Sequence, residues 1–292
     1  MIAEPLDKEI ILDINQDIIE NYQRQFLHDT NKNNINQKIK DYLITTKNWD
    51  KYTTNSIWSF TNSNILLDYT LPNETDKQNL YSIKNEIIQG FDWAIREGPL
   101  CNEQILNTKF KILSSSLSTD NIYKASGQII PMSRRVCYSS FLTACPRLME
   151  PFLKGEIQCP IDCFEIIKTF LMRRRGHIES QKSLPGTPFY IIKFIIPALD
   201  SFGLETDIRT TTAGQAFSMC WFDGYQNMIG DPLDRTVVLH PLEPCDGRAL
   251  AREVLIKTRR RKGLNEDVNI INYLMPEEIE MIKCDDEYNN YI

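Results

Sequence analysis

Apolar positions change their period twice along the chain. Residues 9–40 carry isoleucines and leucines at helical spacing, and the Asn/Lys-rich stretch at 31–36 predicts a loop inside that run. Residues 55–72 mix strand-like and turn-like pieces. Leu80, Ile83, Ile87, Phe91 and Ile95 recur at i, i+3, i+4 spacing and predict a helix over 76–96, stopped by Gly98-Pro99. KFKILSSSL at 109–117 predicts a strand, followed by a polar loop at 118–127. A second helix is expected to start near Pro131, because proline suits a first helical turn. Its inner face would be Met132, Val136, Ser140, Phe141 and Ala144, and Pro146 would end it.

From residue 150 short strands and short helices alternate. Strands are predicted at 150–159, 177–180, 189–198 and 215–223, and helices at 161–173 and 200–214. The order β-α-β-β-α-β is that of a split, ferredoxin-like unit, with both helices on one face of a four-stranded antiparallel sheet. A last helix over 246–262, with Leu250, Val254 and Leu255 on one side, precedes an acidic Asn/Tyr-rich tail that is expected to fray.

Charge and composition narrow the chemistry. The 292 residues fit two or three domains, and 33 Lys+Arg against 39 Asp+Glu give a net charge of −6. Such a chain does not coat nucleic acid through overall charge, so any RNA contact must come from a local basic patch. No Gly-Lys pair occurs and G-x-G-x-x-G is absent, which excludes nucleotide binding by the usual glycine-rich loops. No stretch is long and apolar enough to span a membrane, and the first 20 residues resemble no targeting peptide. The eight cysteines are irregularly spaced, as reduced thiols are. Cys159 and Cys163 lie four apart without a second pair, and His177 is the only histidine near them; a structural zinc needs four ligands. The other histidines, His28 and His240, accompany no recognisable nucleophile. No catalytic residue, metal ligand or cofactor site is assigned.

Basic clusters are the most informative polar feature. Arg134 and Arg135 lie early in a helix, Arg173, Arg174 and Arg175 end another, and Lys257, Arg259, Arg260, Arg261 and Lys262 end the last. Cations at a helix C-terminus offset the dipole by about 0.3–1 kcal/mol each. Three clusters in an acidic chain also segregate charge, which suits a face for phosphate or acidic protein. The strand at 189–196 lacks the aromatic signature of a base-stacking RNA-recognition sheet.

Several long stretches resemble one family: GFDWAIREGPLCNE at 90–103, GQIIPMSRRVCYSSFLTACPRLMEP at 127–151, RRRGH at 173–177, PGTPFYIIKFIIPALDSFGLETDIRTTTAGQAF at 185–217, GDPLD at 230–234 and KTRRRKGLNEDV at 257–268. They resemble the C-terminal part of the elongation factor 2 / elongation factor G family of translocation GTPases, from residues 1–6 almost to the end. The resemblance implies an α+β chain. Residues 1–149 would be domain IV, an S5-like β-α-β fold lacking its first strand. Residues 150–224 would be the ferredoxin-like domain V. Residues 225–292 would be a C-terminal segment packing back on domain IV. GTP and Mg²⁺ would belong to a G domain expected ahead of residue 1, so the fragment itself would hold no cofactor and catalyse nothing.

Tyr123 stands where the translation factor carries the histidine that becomes diphthamide, and tyrosine cannot receive that modification. The stretch at 236–270 and the residues after it resemble instead the spliceosomal branch, found in the U5 small nuclear ribonucleoprotein. That branch usually keeps the histidine and three glycines, where this chain reads Tyr123, Lys124, Ala125, Ser126 and Gly127. Membership of that branch implies a nuclear protein acting in pre-mRNA splicing, in spliceosome activation and disassembly. Its partners would be the large spliceosomal scaffold protein, the U5-associated RNA helicase and U5 snRNA, and outside the complex it would be a monomer. The residues offered for RNA or partner contact are Tyr123, Lys124, Arg134, Arg135, Arg173, Arg174, Arg175, Lys257, Arg259, Arg260, Arg261 and Lys262. The alternative is the same part of a ribosomal translocase.

Overall fold

A computed structural model describes residues 1–15, 32–47, 49–118, 120–237, 239, 247–275 and 279. The chain divides into two compact units, Met1–Pro146 with Val254–Ile292, and Arg147–Glu253. Both are α+β.

The first unit is built on a sheet in the order β1-β4-β3-β2, with β1 Ile2–Pro5, β2 Ile57–Thr61, β3 Asn64–Asp68 and β4 Thr108–Ile112. A hairpin joins β2 to β3 through Asn62 and Ser63, both at positive φ (47° and 61°), the backbone that two-residue hairpins require. β3 and β4 run parallel, so a crossover must link them. Helices α4 (Lys77–Ser82) and α5 (Lys84–Arg96) supply it. Asn64 is fully buried and fixes the crossover's return: its amide donates to the carbonyl of Ile105 (2.6 Å) and its oxygen accepts from the Thr108 N–H (3.0 Å). β3 is buried along its whole length. Leu66 faces a core of Leu80, Phe91, Phe110, Ile129 and Cys137 from the helical side. Ile65 and Leu67 face Leu6, Ile10 and Leu43, from α1 (Lys8–Asn15) and α2 (Lys32–Lys47) and the turn before them. Helix α3 is Lys51–Asn55.

Several expectations shift. The loop placed at 31–36 falls on the start of α2, which runs from Lys32. Residues 16–31, with His28, lie outside the described residues, as do His240, Cys245, Cys284 and nearly all of the acidic tail. The single helix at 76–96 is two, broken at Ile83 (φ −107°, ψ 12°), with Asp76 capping α4 through the Gln78 N–H (3.0 Å). β4 stops at Ile112, ahead of a serine run that pairs with no strand. Strand β1 lies at an edge of the sheet, paired with β4 alone among the described strands.

Helix α6 begins at Ser126, so Pro131 is interior and removes one hydrogen bond, the one Gly127 would accept. Its buried face is Ile129, Ser133, Cys137, Tyr138, Ser140 and Leu142, while Met132 is exposed. Ser133 is there because α5 and α6 approach closely. A Cβ on Gly90 would lie 2.7 Å from both the Ser133 Cβ and the Ile130 carbonyl oxygen.

The second unit has β5 Met149–Pro160, α7 Phe164–Arg173, β6 His177–Ser183, β7 Phe189–Pro197, α8 Ala198–Ser201, α9 Leu204–Thr211 and β8 Phe217–Asn227. Its sheet order is β6-β7-β5-β8, antiparallel throughout, as the split β-α-β-β-α-β pattern predicts. Ile157, Cys159, Ile192, Phe194 and Ile196 meet Ile167, Leu171, Leu204 and Ile208 from α7 and α9 on one face. This unit extends past the boundary expected at residue 224. The Met228 N–H donates to the Leu148 carbonyl (2.8 Å), Arg147 to the Gly230 carbonyl (3.0 Å), and Gly230 lies against the Arg248 backbone. Helix α10 (Leu250–Arg261) crosses the division, so only its part from Val254 groups with the first unit.

Two predictions follow from this packing. Gly155 sits mid-strand where an added Cβ would lie 2.6 Å from the Met219 carbonyl and from the Phe194 ring. Gly155→Ala is expected to cost about 1–3 kcal/mol by overpacking, read as a lowered urea midpoint with unchanged slope. Complete burial pushes the Cys137 thiol up to about 12, and burial together with Cys163 pushes Cys159 up to about 11. Both are neutral thiols near pH 8. Native alkylation there is expected to label the exposed Cys145 and to leave Cys137 and Cys159 unmodified until denaturant is added; mass spectrometry reads the sites.

Candidate partner interface

The three basic clusters divide into cations consumed inside a unit and cations presented to solvent. Arg259, on the last turn of α10, is 7% exposed. Its Nη1 donates to the carbonyls of Pro99 (3.1 Å) and Leu100, and its Nε to that of Asn265. Lys262 donates to the carbonyls of Cys101 (2.8 Å) and Asn102 (3.3 Å) and pairs with Glu103. These two cations bind the 99–103 loop, where α5 has ended and carbonyls are left without helical partners. Arg260 forms a two-pronged pair with Glu266 (2.6 and 3.0 Å), which holds that carboxyl below its usual range. Arg261 and Lys257 are exposed.

The run at 173–175 divides in the same way. Arg174 Nη1 donates to the carbonyls of Asp200 (2.8 Å) and Phe202 (2.7 Å), Nη2 pairs with Asp207, and the guanidinium lies over the Phe170 ring (4.9 Å). Arg175, in left-handed backbone (φ 54°), grips the buried Glu150 with both terminal nitrogens at 3.0 Å and Asp200 through Nε at 2.5 Å. Burial works against its charge, but these hydrogen bonds hold the guanidinium above the usual arginine value. Together they fix the turn carrying α8. Arg173 is exposed.

Arg134 on α6 lies over the Trp93 ring (3.9 Å), donates to the Tyr138 hydroxyl (2.8 Å) and pairs with Glu97 (2.9 Å). Burial pushes the Tyr138 phenol up, and its hydroxyl donates to the Glu97 carbonyl. Arg135 is exposed and touches the Met275 sulfur, at 4.0 Å. At the 113–125 loop a 3₁₀ turn, Asn121–Lys124, presents Ile122 and Tyr123, 77% and 58% exposed. Lys124 anchors that turn through the Asn79 side chain (2.8 Å).

The twelve candidates therefore separate. Arg259, Arg174, Arg175, Lys262, Arg134, Arg260 and Lys124 have side-chain or carbonyl partners within their own unit. Tyr123, Arg135, Arg173, Lys257 and Arg261 stand at the surface. Sequence spacing offered no signal for that split, because Arg259 and the Pro99 carbonyl lie 160 residues apart.

Little else is built for chemistry. Among the described residues no group of three His, Cys, Asp or Glu side chains could hold a metal. An open cleft of about 390 Å³ is lined by Asp7, Lys8, Glu9, Ile10, Lys47 and Trp49. Its polar groups already pair: Trp49 Nε1 donates to Asp7 (3.0 Å) and Lys47 binds Asp13 (2.7 Å). Among the described residues no helix is long and apolar enough to cross a membrane.

Comparison with known proteins adds to this geometry. Residues 27–145 match the model of elongation factor G domain IV, and residues 147–236 that of the elongation factor G C-terminus. The chain belongs to the elongation factor G family. The junction of the two matches coincides with the structural division after Pro146. Among its relatives, the 110 kDa U5 small nuclear ribonucleoprotein component CLO of Arabidopsis thaliana is 47% identical over 273 residues, 92% of this chain and 26% of the relative. The pre-mRNA-splicing factor cwf10 of Schizosaccharomyces pombe is 45% identical over 97% of this chain and 28% of the relative. The pre-mRNA-splicing factor SNU114 of Saccharomyces cerevisiae is 35% identical over 90% of this chain and 26% of the relative. This elongation factor G-type chain thus spans 26–28% of the length of these relatives.

The split between inward and outward cations is directly measurable. Arg259→Met leaves carbonyls of Pro99, Leu100 and Asn265 without donors. It is expected to cost about 1.5–3 kcal/mol, the worth of charged hydrogen bonds. Arg261→Gln, two residues on, should change stability by less than about 0.5 kcal/mol. Equal urea midpoints for the two variants would refute the assignment.

Proposed function

We propose that this chain forms domain IV and the C-terminal domain of a spliceosomal GTPase of the U5 small nuclear ribonucleoprotein. In this reading it acts in the nucleus, in pre-mRNA splicing. The observation that carries it is the identity of 45–47% over more than nine-tenths of the chain to relatives named as a U5 component or a pre-mRNA-splicing factor. That favours the splicing branch of the family over a ribosomal translocase.

The chain's own part in this function is positional. The proposal assigns GTP and Mg²⁺ to a G domain of the longer protein, because the sequence here has no Gly-Lys pair to serve as a phosphate loop. What these residues offer is two rigid α+β units bearing outward cations. Internal arginines make the surface stiff: Arg259 and Lys262 fix the loop after α5, and Arg174 and Arg175 fix the turn at α8. Domains held this way relay the placement of the longer protein to its neighbours without making or breaking bonds. The partners proposed are U5 snRNA, the large spliceosomal scaffold protein and the U5-associated RNA helicase.

Salt dependence tests the RNA part. Each phosphate neutralised adds about 0.7–0.9 to the slope of log affinity against log salt. Arg135→Glu combined with Arg261→Glu is expected to flatten that slope for U5 snRNA and weaken binding at least tenfold, with the melting temperature unchanged, since neither residue has an ion-pair partner among the described residues. Unchanged affinity for RNA and for the scaffold protein would refute a role for this surface. Saturable, Mg²⁺-dependent binding of a fluorescent GTP analogue by this chain would refute the assignment of nucleotide to another domain.

A further inference from the structure

β8 is an edge strand of the second unit, hydrogen-bonded to β5 alone among the described strands. Edge strands expose a row of unpaired backbone N–H and C=O groups, and proteins usually blunt them with lysine, proline or brevity. β6, at the opposite edge, does so: it is seven residues long and carries His177, Glu179 and Lys182. β8 is eleven residues long, has no lysine or proline, and carries one charge, Asp223. Five of its side chains are large and apolar, and all are 45–62% exposed: Phe217, Met219, Trp221, Phe222 and Tyr225.

The register locates the regular part. Phe217 to Phe222 pairs with Gln158 to Leu153 without interruption, and a bulge follows at Asp223. Within that stretch Phe217, Met219 and Trp221 alternate with Ser218, Cys220 and Phe222, so a neighbouring strand would find apolar side chains on both faces of the pleat. Glu156, opposite Met219, pairs with Lys193 (3.0 Å), and Glu205 pairs with Arg209, whose guanidinium lies over the Phe217 ring (5.8 Å), so Asp223 is the carboxylate at this edge with no ion pair among the described residues. No cation lies on the strand itself.

We propose that the outer edge of Phe217–Phe222 is a strand-addition site for an extended segment of another protein, one that alternates apolar residues and bears a basic residue to meet Asp223. Backbone pairing gives such a segment affinity and the exposed aromatics give it register. A second copy of this chain fits less well. Six residues at about 3.4 Å each and a face about 10 Å deep offer roughly 200 Å². A stable interface needs about 800 Å² per partner. The site is distinct from the basic surfaces and does not depend on the splicing assignment.

The test uses the full chain and a fluorescein-labelled peptide of alternating valine and threonine ending in lysine. Anisotropy is expected to give saturable binding, with affinity reduced about tenfold or more by N-methylation of alternate peptide nitrogens, taken in both registers. Hydrogen exchange should slow in 217–222 and not in α7 or α9. Met219→Lys with Trp221→Lys, both at exposed positions, should abolish binding while circular dichroism and melting stay as in the parent chain. Any of four results overturns the proposal: no saturable binding, equal binding of the N-methylated peptides, protection elsewhere, or displacement of the peptide by oligouridine. So does concentration-dependent dimerisation in the ultracentrifuge that the double variant removes, because the edge would then serve a second copy.

Discussion

A guanidinium cannot be buried unless its N–H groups are matched, and this chain meets that condition by giving arginines to bare carbonyls. Arg259 takes the carbonyls of Pro99, Leu100 and Asn265. Arg174 takes those of Asp200 and Phe202. In both places the acceptors belong to a loop or to the end of a one-turn helix, where carbonyls lack partners in a ladder, and an unpaired buried carbonyl costs as much as a lost hydrogen bond. One arginine therefore does the work that a short strand or a cap does elsewhere. In the first unit this ties the residues after Val254 to the loop following α5, across 160 residues of sequence. In the second it holds the α8 turn beside the end of α7. Remove either arginine and the loop loses its donors while the helix that carried it survives.

Much of the second unit was legible in the sequence because its strands and helices are short and switch cleanly between periods of 2 and 3.6. β5, β7, α7 and α9 fall where alternation and helical spacing put them. The first unit was harder for reasons visible in particular residues. Pro131 reads as a first turn, yet α6 already starts at Ser126 and tolerates the interior proline near its beginning. Ser133 lies outside the face that spacing put inward, yet it is buried because Gly90 lets α5 come close, and a large residue there would collide. Hydropathy marks positions that are apolar, and a helix contact of this kind is made of positions that are small.

The candidate surface shows the same gap between composition and geometry. Three runs of cations look alike as text. In the fold each spends members on its own unit and leaves others outward: Arg135 beside Arg134, Arg173 beside Arg174 and Arg175, Arg261 beside Arg259 and Arg260. On α6 and α10 the helical period explains the alternation, because neighbours in sequence are about 100° apart and a run of three cannot all face one way. At 173–175 the helix end does it: α7 stops at Arg173, and Arg175 is in left-handed backbone. A run of basic residues at a helix end is thus suited to two tasks at once, binding a loop on one side and facing a partner on the other.

That division bears on what kind of contact each surface makes. Outward arginines and lysines attract through charge, which is long-ranged, tolerant of geometry and screened by salt. An exposed strand edge attracts through directed hydrogen bonds and apolar contact, which act at short range and demand register. The first unit and the end of α7 carry the former, and β8 carries the latter. The acidic total of −6 sharpens the contrast, since a weakly basic patch stands out only where the background repels phosphate. Discrimination among partners then follows from physics that needs no catalytic residue: a polyanion is drawn to cations that the fold exposes, and an extended peptide to a strand edge that the fold has left without a lysine or a proline.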